Sequence, residues 1–230
     1  MDNDFLLIEK VSKIFETGQD VRVVGLVELS LSIGRGEFVV VSGPSGSGKT
    51  TLLNIVGGLD DATKGRVVLD GLEITGLRER KLAALRRDHI GFIFQAYNLI
   101  PVLTARENIS YVMQLQNRAK GEIEERVEEI ASKLGIQELL DKLPNQMSGG
   151  QQQRVAVARA VASKPQLILA DEPTANLDSK TASSLMDMMQ KLNEEEGITI
   201  IFSSHDPLVI SKAKHSIVLR DGVVVENVFP

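Results

Sequence analysis

The chain has no cysteine and no tryptophan, and only two tyrosines and three histidines in 230 residues. Without thiols there are no disulfides, no thiolate metal sites and no cysteine nucleophile, which fits a reducing compartment. Basic charge is also short: 26 Lys and Arg against 31 Asp and Glu leave a net charge of −5. Nucleic-acid binders carry a basic excess or a basic stripe, so no nucleic-acid partner is expected. No apolar run approaches the roughly 20 residues needed to span a bilayer. The acidic start, Met1-Asp2-Asn3-Asp4, lacks the basic and apolar regions of a signal peptide. The expected location is cytoplasmic, with any membrane role supplied by a partner. What remains is an ordinary globular mixture, 43% hydrophobic and 25% charged, long enough to bury a sizeable core. The chain shows no internal repeat and no low-complexity segment.

The pattern along the chain predicts an α/β protein. Phe5–Ile8 and Val21–Leu31 read as strands, and Glu37–Val41 is a short apolar run that ends in the turn signal Ser42-Gly43-Pro44. A helix follows from Gly48, with Leu52, Leu53, Ile55 and Val56 on one side, and Gly57-Gly58 stops it. Strand-like runs return at Gly65–Leu69 and Ile90–Phe94. From about Tyr97 to Ala162 the chain reads mostly as helix. Ile123, Val127, Ile130 and Leu134 recur at helical spacing, and the glutamates between them read as a solvated face. Leu167–Ala170, Ile198–Phe202 and Ile217–Leu219 read as strands, with a helix at Ser179–Glu195 and a hairpin turn at Asp221-Gly222. Strand, helix, strand in this order predicts a parallel sheet covered by helices. The expected division is one domain over 1–230, with a core at 1–96 and 163–230 and an inserted helical subdomain at about 97–162.

Gly43-Pro44-Ser45-Gly46-Ser47-Gly48-Lys49-Thr50 fits the phosphate-binding pattern G-x-x-x-x-G-K-[ST]. Glycines let backbone N–H groups converge on phosphate oxygens, and the following helix turns its positive end toward the same anion. Lys49 adds charge at the β- and γ-phosphates, and the Thr50 hydroxyl can ligate Mg²⁺; Thr51 beside it is also expected among the nucleotide-binding residues. An exposed lysine on a glycine-rich turn is the plain alternative. The preceding strand and following helix weigh against it.

Such a loop needs an acidic partner for the metal. Leu167-Ile168-Leu169-Ala170-Asp171-Glu172 provides four apolar residues, then Asp171 at the carboxyl end of a buried strand, where ligands of open α/β sheets bind. Glu172, one residue on, is placed to orient an attacking water and take its proton. Met147-Ser148-Gly149-Gly150-Gln151 lies at the mouth of an alanine-rich helix, a second site where free N–H groups favour an anion.

Taken in order, these motifs resemble an ATP-binding-cassette (ABC) ATPase, the nucleotide-binding subunit of ABC transporters. The likeness runs over nearly the whole chain. It implies a P-loop core with a mainly parallel sheet, an N-terminal antiparallel β subdomain and an inserted helical subdomain. It implies ATP and Mg²⁺ as ligands, with Thr50, Gln95 and Asp171 at the metal and Glu172, Gln95 and His205 in catalysis. Gln95 matches the Q-loop glutamine, Ser148–Gln151 the signature, Ala175-Asn176-Leu177-Asp178 the D-loop, and His205 the switch histidine. Phe15 stands where an aromatic residue stacks on adenine, without the hydroxyl of the usual tyrosine, and Met147 replaces the usual leucine. The family further implies a second copy of the chain, whose signature closes over ATP held by the first, and transmembrane permease subunits as partners. Phe94–Ala105 with Glu107-Asn108 resembles the lipoprotein-release, macrolide-export and cell-division group. A regulator of a membrane partner that transports nothing, and an ATPase acting on nucleic acid, are the alternatives to a transporter. The apolar stretch Ala96–Leu103 is a candidate coupling surface, with Tyr97 and Leu99 as its expected exposed members.

Overall fold

The computed structural model describes residues 4–17, 21–211 and 213–229. Two sheets organise it. A four-stranded antiparallel sheet joins β1 (Asp4–Thr17), β2 (Val21–Gly34), β4 (Lys64–Leu69) and β5 (Leu72–Glu73) in the order β2-β1-β4-β5. A six-stranded sheet joins β3 (Phe38–Ser42), β6 (Ile90–Phe94), β7 (Leu167–Asp171), β8 (Thr199–Ser204), β9 (His215–Arg220) and β10 (Val223–Val228) in the order β10-β9-β3-β8-β7-β6. All its pairs are parallel except the terminal β9–β10 hairpin.

The inner strands β3, β7 and β8 carry nearly unbroken buried runs because both faces of the sheet are covered there. The side-chain period of two then sorts them. Phe38, Val40, Ile168, Ala170, Ile200 and Phe202 join a core with the helices α3 (Ala105–Leu115), α4 (Lys120–Leu134), α5 (Gly149–Ala162) and α6 (Ser179–Glu196). Val39, Val41, Leu167, Leu169, Ile201, Ile217 and Leu219 join the opposite core, with α1 (Lys49–Val56) and the antiparallel sheet.

The main departures from the sequence reading lie where apolar signal is thin. The helix α2 (Glu79–His89) buries only Leu82 and Leu85 and was not expected. The expected helix from Tyr97 begins at Ala105, where Thr104 caps it by accepting the Glu107 N–H in a capping box. The short helix α7 (Pro207–Ser211) and two 3₁₀ turns, Gln137–Leu139 and Pro144–Gln146, were also not expected. Among the described residues no helix is long and apolar enough to cross a membrane.

Candidate active site

Strand register assembles the site. Phe94 pairs with Asp171, Asp171 with Ser203, and Ser203 with Val41, so one row crosses four strands at their carboxyl ends. The residues that follow this row are Gln95, Glu172, Ser204–His205 and Ser42–Gly43. Motifs more than a hundred residues apart thus meet at one edge of the sheet.

The phosphate loop leaves β3 and enters α1. Gly43, Gly46 and Gly48 all have positive φ (144°, 79° and 103°). The reasons differ. A Cβ on Gly43 would lie 2.1 Å from the Leu219 carbonyl oxygen, and one on Gly48 would lie 2.6 Å from that of Gly25. Those two glycines therefore admit the backbone behind the loop. Gly46 faces open space, with nothing within 4 Å of a Cβ, as an approach for phosphate requires. Lys49 is 5% exposed and donates to the carbonyls of Gly43 (2.8 Å) and Pro44 (3.1 Å).

Across the loop, the Thr50 hydroxyl donates to Asp171 Oδ2 at 2.9 Å. Asp171 Oδ1 accepts from the Ser203 hydroxyl at 2.7 Å, and Ser203 Oγ accepts the Glu172 N–H at 2.8 Å. Glu172 itself has a left-handed φ of 43°. One of its oxygens lies 3.6 Å from Lys49 Nζ and the other 3.2 Å from His205 Nδ1. The acid, the cation and the histidine are therefore gathered around one small volume. Among the described residues no three His, Asp or Glu side chains group to hold a metal. A hydroxyl and one carboxylate beside a phosphate cradle are instead the hard-oxygen set that suits Mg²⁺.

Phe15 stands half-buried on β1. A Cβ on Gly25 would meet its ring at 2.8 Å and the Thr51 methyl at 3.3 Å, which places the ring beside the first turn of α1. Lys13 Nζ lies 5.0 Å from the ring centroid and is tied to Asp60 and to the Asp61 carbonyl. Asp178 caps α6, accepting from the N–H groups of Lys180 and Thr181; the Thr181 hydroxyl holds its carboxyl below the usual range. Gln95 is exposed, and its backbone carbonyl accepts from the Asn176 side-chain amide at 3.2 Å. Ser148 caps α5, with Gln151 closing a capping box. Among the described residues no hydrogen bond or ion pair joins Ser148–Gln151 to the phosphate loop of the same chain.

A family model described as ABC transporter matches residues 26–175, the stretch that carries the phosphate loop, the signature and the Asp171-Glu172 pair. The chain belongs to the ABC transporter family. A second model, described as AAA domain, putative AbiEii toxin, Type IV TA system, matches the shorter stretch 143–211. The uncharacterized ABC transporter ATP-binding protein MJ0796 of Methanocaldococcus jannaschii is 45% identical over 94% of each chain. Its dimeric structure in a post-hydrolysis state bound to ADP and Pi superimposes with a TM-score of 0.90, covering 97% of this chain and 98% of that one at 42% identity. The lipoprotein-releasing system ATP-binding protein LolD 1 of Chlorobium chlorochromatii is 45% identical over 97% of this chain and 92% of its own. The macrolide export ATP-binding/permease protein MacB of Syntrophobacter fumaroxidans is 44% identical over 96% of this chain and 31% of its own.

In this ABC ATPase the segment after Gln95 is organised by residues that sequence motifs do not reveal. Tyr97 and Asn98 both have positive φ (60° and 48°). Their carbonyls accept from Arg159 on the signature helix, whose guanidinium burial pushes down from its ordinary value. Fully buried Asn108 donates to the carbonyls of Ile100, Leu103 and Thr104 and accepts the Ile100 N–H. The expectation that Tyr97 and Leu99 are the exposed apolar members is corrected. Leu99 packs on the core, and the half-buried Tyr97 has its hydroxyl 2.8 Å from where a Gly149 Cβ would be. Val102 is the exposed one, at 78%.

Proposed function

We propose that this ATPase is the motor subunit of a membrane transporter and closes as a dimer over two ATP molecules. The observation that carries the chemistry is the placing of Glu172, between Lys49 and His205 and one residue past the Thr50–Asp171 pair. Lys49 and the Gly43–Gly48 backbone hold the β- and γ-phosphates. Thr50, Asp171 and Gln95 hold Mg²⁺, which supplies neutralising charge to the phosphates when bound. Glu172 orients water and accepts its proton, and His205 fixes the Glu172 carboxylate and meets the γ-phosphate. Phe15 offers a ring to the adenine.

Among the described residues Ser148, Gly149, Gly150 and Gln151 make no bond to the phosphate loop of their own chain; they close over the ATP held by a second copy, and Asp178 lies at that interface. The dimeric MJ0796 structure supports this reading. The working unit is one domain, with a core at 1–96 and 163–230 and helices at about 97–162. It is peripheral to the membrane on the cytoplasmic side.

The permease partner docks in a groove of about 450 Å³ along the edge strand β6, lined by Leu59, Phe92, Phe94, Tyr111 and Leu115 with Arg159 at its wall. Leu59, Tyr111 and Leu115 remain 47%, 41% and 50% exposed there, an apolar patch of the kind that marks docking sites. MacB, whose name joins ATP-binding and permease functions in one protein, supports such a partnership.

Glu172→Gln tests the site. Turnover should fall by roughly 10²–10⁴ while ATP binding persists, and light scattering should show monomers without nucleotide and dimers with ATP. Hydrolysis near the wild-type rate would remove Glu172 from its role. Leu115→Lys should leave folding and basal ATPase intact but weaken co-purification with the permease. Undiminished co-purification would move the docking site elsewhere.

A further inference from the structure

We propose that Ser203 is a positioning residue for ATP hydrolysis, its single hydroxyl fixing the metal-holding carboxylate and the water-activating glutamate relative to each other. The proposal rests on the roles assigned above to Asp171 and Glu172. Ser203 lies inside β8 at 0% exposure, in a strand whose other members are apolar apart from Thr199 and Ser204. A hydroxyl in such a place costs stability unless it is satisfied.

Here it is satisfied by the two acidic residues of the site. A carboxylate can only accept and a backbone N–H can only donate. The hydroxyl proton therefore goes to Asp171 Oδ1 (2.7 Å), and the lone pair receives the Glu172 N–H (2.8 Å). The alternative arrangement does not exist, so the polarity of the link is fixed.

The link acts at a place where the backbone is uncommon. Glu172 has φ 43°, a left-handed conformation that non-glycine residues seldom adopt and that persists where surrounding contacts impose it. Ser203 grips the N–H of that residue. The Glu172 side chain is directed from there to its place between Lys49 and His205. On the other side Asp171 has one oxygen on Ser203 and one on Thr50, which sets the plane of its carboxyl. Removing the hydroxyl deprives Asp171 of one of its two donors and leaves Glu172 free to leave its strained turn.

The test compares Ser203→Ala, Ser203→Cys and Ser203→Thr in steady-state ATPase, in Mg²⁺ titrations and in thermal melts. Outer-shell partners typically cost 10–100-fold in metal affinity or activity, so Ser203→Ala should lower kcat by roughly that factor. Half-saturation by Mg²⁺ should rise several-fold, with KM for ATP within about twofold. Ser203→Thr keeps a hydroxyl and should restore most of kcat, which a purely volumetric role would not predict. A folded Ser203→Ala with kcat within about threefold of wild type overturns the proposal. So does a folded Ser203→Thr that fails to rescue. If Ser203→Ala does not fold, Ser203→Cys decides, because the thiol keeps the volume but donates weakly; full activity there also overturns it. Glu172→Gln, run alongside, separates the two readings. If it hydrolyses normally the site assignment falls, whereas if it is dead and Ser203→Ala is active only the positioning role falls.

Discussion

Glu172 and Glu196 are both partly buried carboxylates, 21% and 16% exposed, and each lies near a lysine. Around Glu196 the cations are close: Lys133 at 2.6 Å and Arg126 at 3.2 Å, and the same two also hold Glu129 at 2.9 and 2.8 Å. Arg126 adds a bond to the Val161 carbonyl, so α4, α5 and α6 are tied at one point. Around Glu172 the lysine stands farther off, 3.6 Å for Lys49, with His205 at 3.2 Å, and Lys49 makes its shorter bonds to loop carbonyls. The first cluster pairs two cations with two carboxylates at short range and ties helices together. The second holds its lysine at 3.6 Å from the carboxylate, beyond hydrogen-bond reach, which leaves the Glu172 oxygen on that side open to another partner.

Crossed substitutions give the largest test of that contrast. Lys49→Ala should lower kcat/KM by at least roughly 10²–10³, the usual cost of one preorganised charge donor, with a small change in melting temperature. Glu196→Gln should do the reverse, lowering melting temperature and leaving hydrolysis within about twofold. If Glu196→Gln abolished hydrolysis in a protein of unchanged stability, the division of labour between the clusters would be wrong.

The two clusters were not equally legible. The active site is written in short motifs with fixed spacing at strand ends, and parallel register then brings Phe94, Asp171 and Ser203 into one row. Ser203 itself gave no signal, because one serine in a strand looks like any other until its register is known. The Glu-rich face of α4 reads as solvated, and Glu122, Glu124, Glu125, Glu128 and Glu129 are all exposed; the pairing of Glu129 with Arg126 and Lys133, and of Arg126 with Glu196 70 residues away in sequence, carries no such signal. Periodicity reports which face is apolar and says nothing of such distant partners. Tyr97 and Leu99 misled for a related reason. Apolar residues in a loop look exposed, whereas Asn108 and Arg159 fold that loop inward by bonds no local pattern encodes.

Arg126 offers a test of intermediate size. It is 5% exposed, and Arg126→Met would keep apolar bulk while leaving Glu196 with Lys133 alone. Breaking a buried pair costs about 3–5 kcal/mol; with partners part-exposed and one cation remaining, about 2 kcal/mol is expected from the same principle. Urea unfolding should show this as a lowered midpoint at unchanged slope. A loss of stability too small to measure would mean that helix packing, not the charge cluster, holds α4 to α6.

The smallest effect is the one with the clearest pH signature. Hydrogen bonds from Arg126, then from Lys133, hold the Glu129 carboxyl down to about 2, against an ordinary 4.5. A folded-state value below the unfolded one means that the charged form favours folding. That contribution is complete above about 4.5 and disappears as pH falls toward about 2. Because the side chain is 43% exposed, solvent screening limits it to about 1 kcal/mol or less. Glu129→Gln should therefore be slightly less stable than wild type at neutral pH. The gap should stay level down to about pH 5 and close between there and about pH 2, and added salt should narrow it throughout. Paired urea titrations at pH 6 and pH 3 would show it. A gap that persisted undiminished at the lower pH would trace the loss to packing instead of charge. The pH profile of ATP hydrolysis should be the same in both proteins, since this carboxylate is tied to two cations and touches no group of the site.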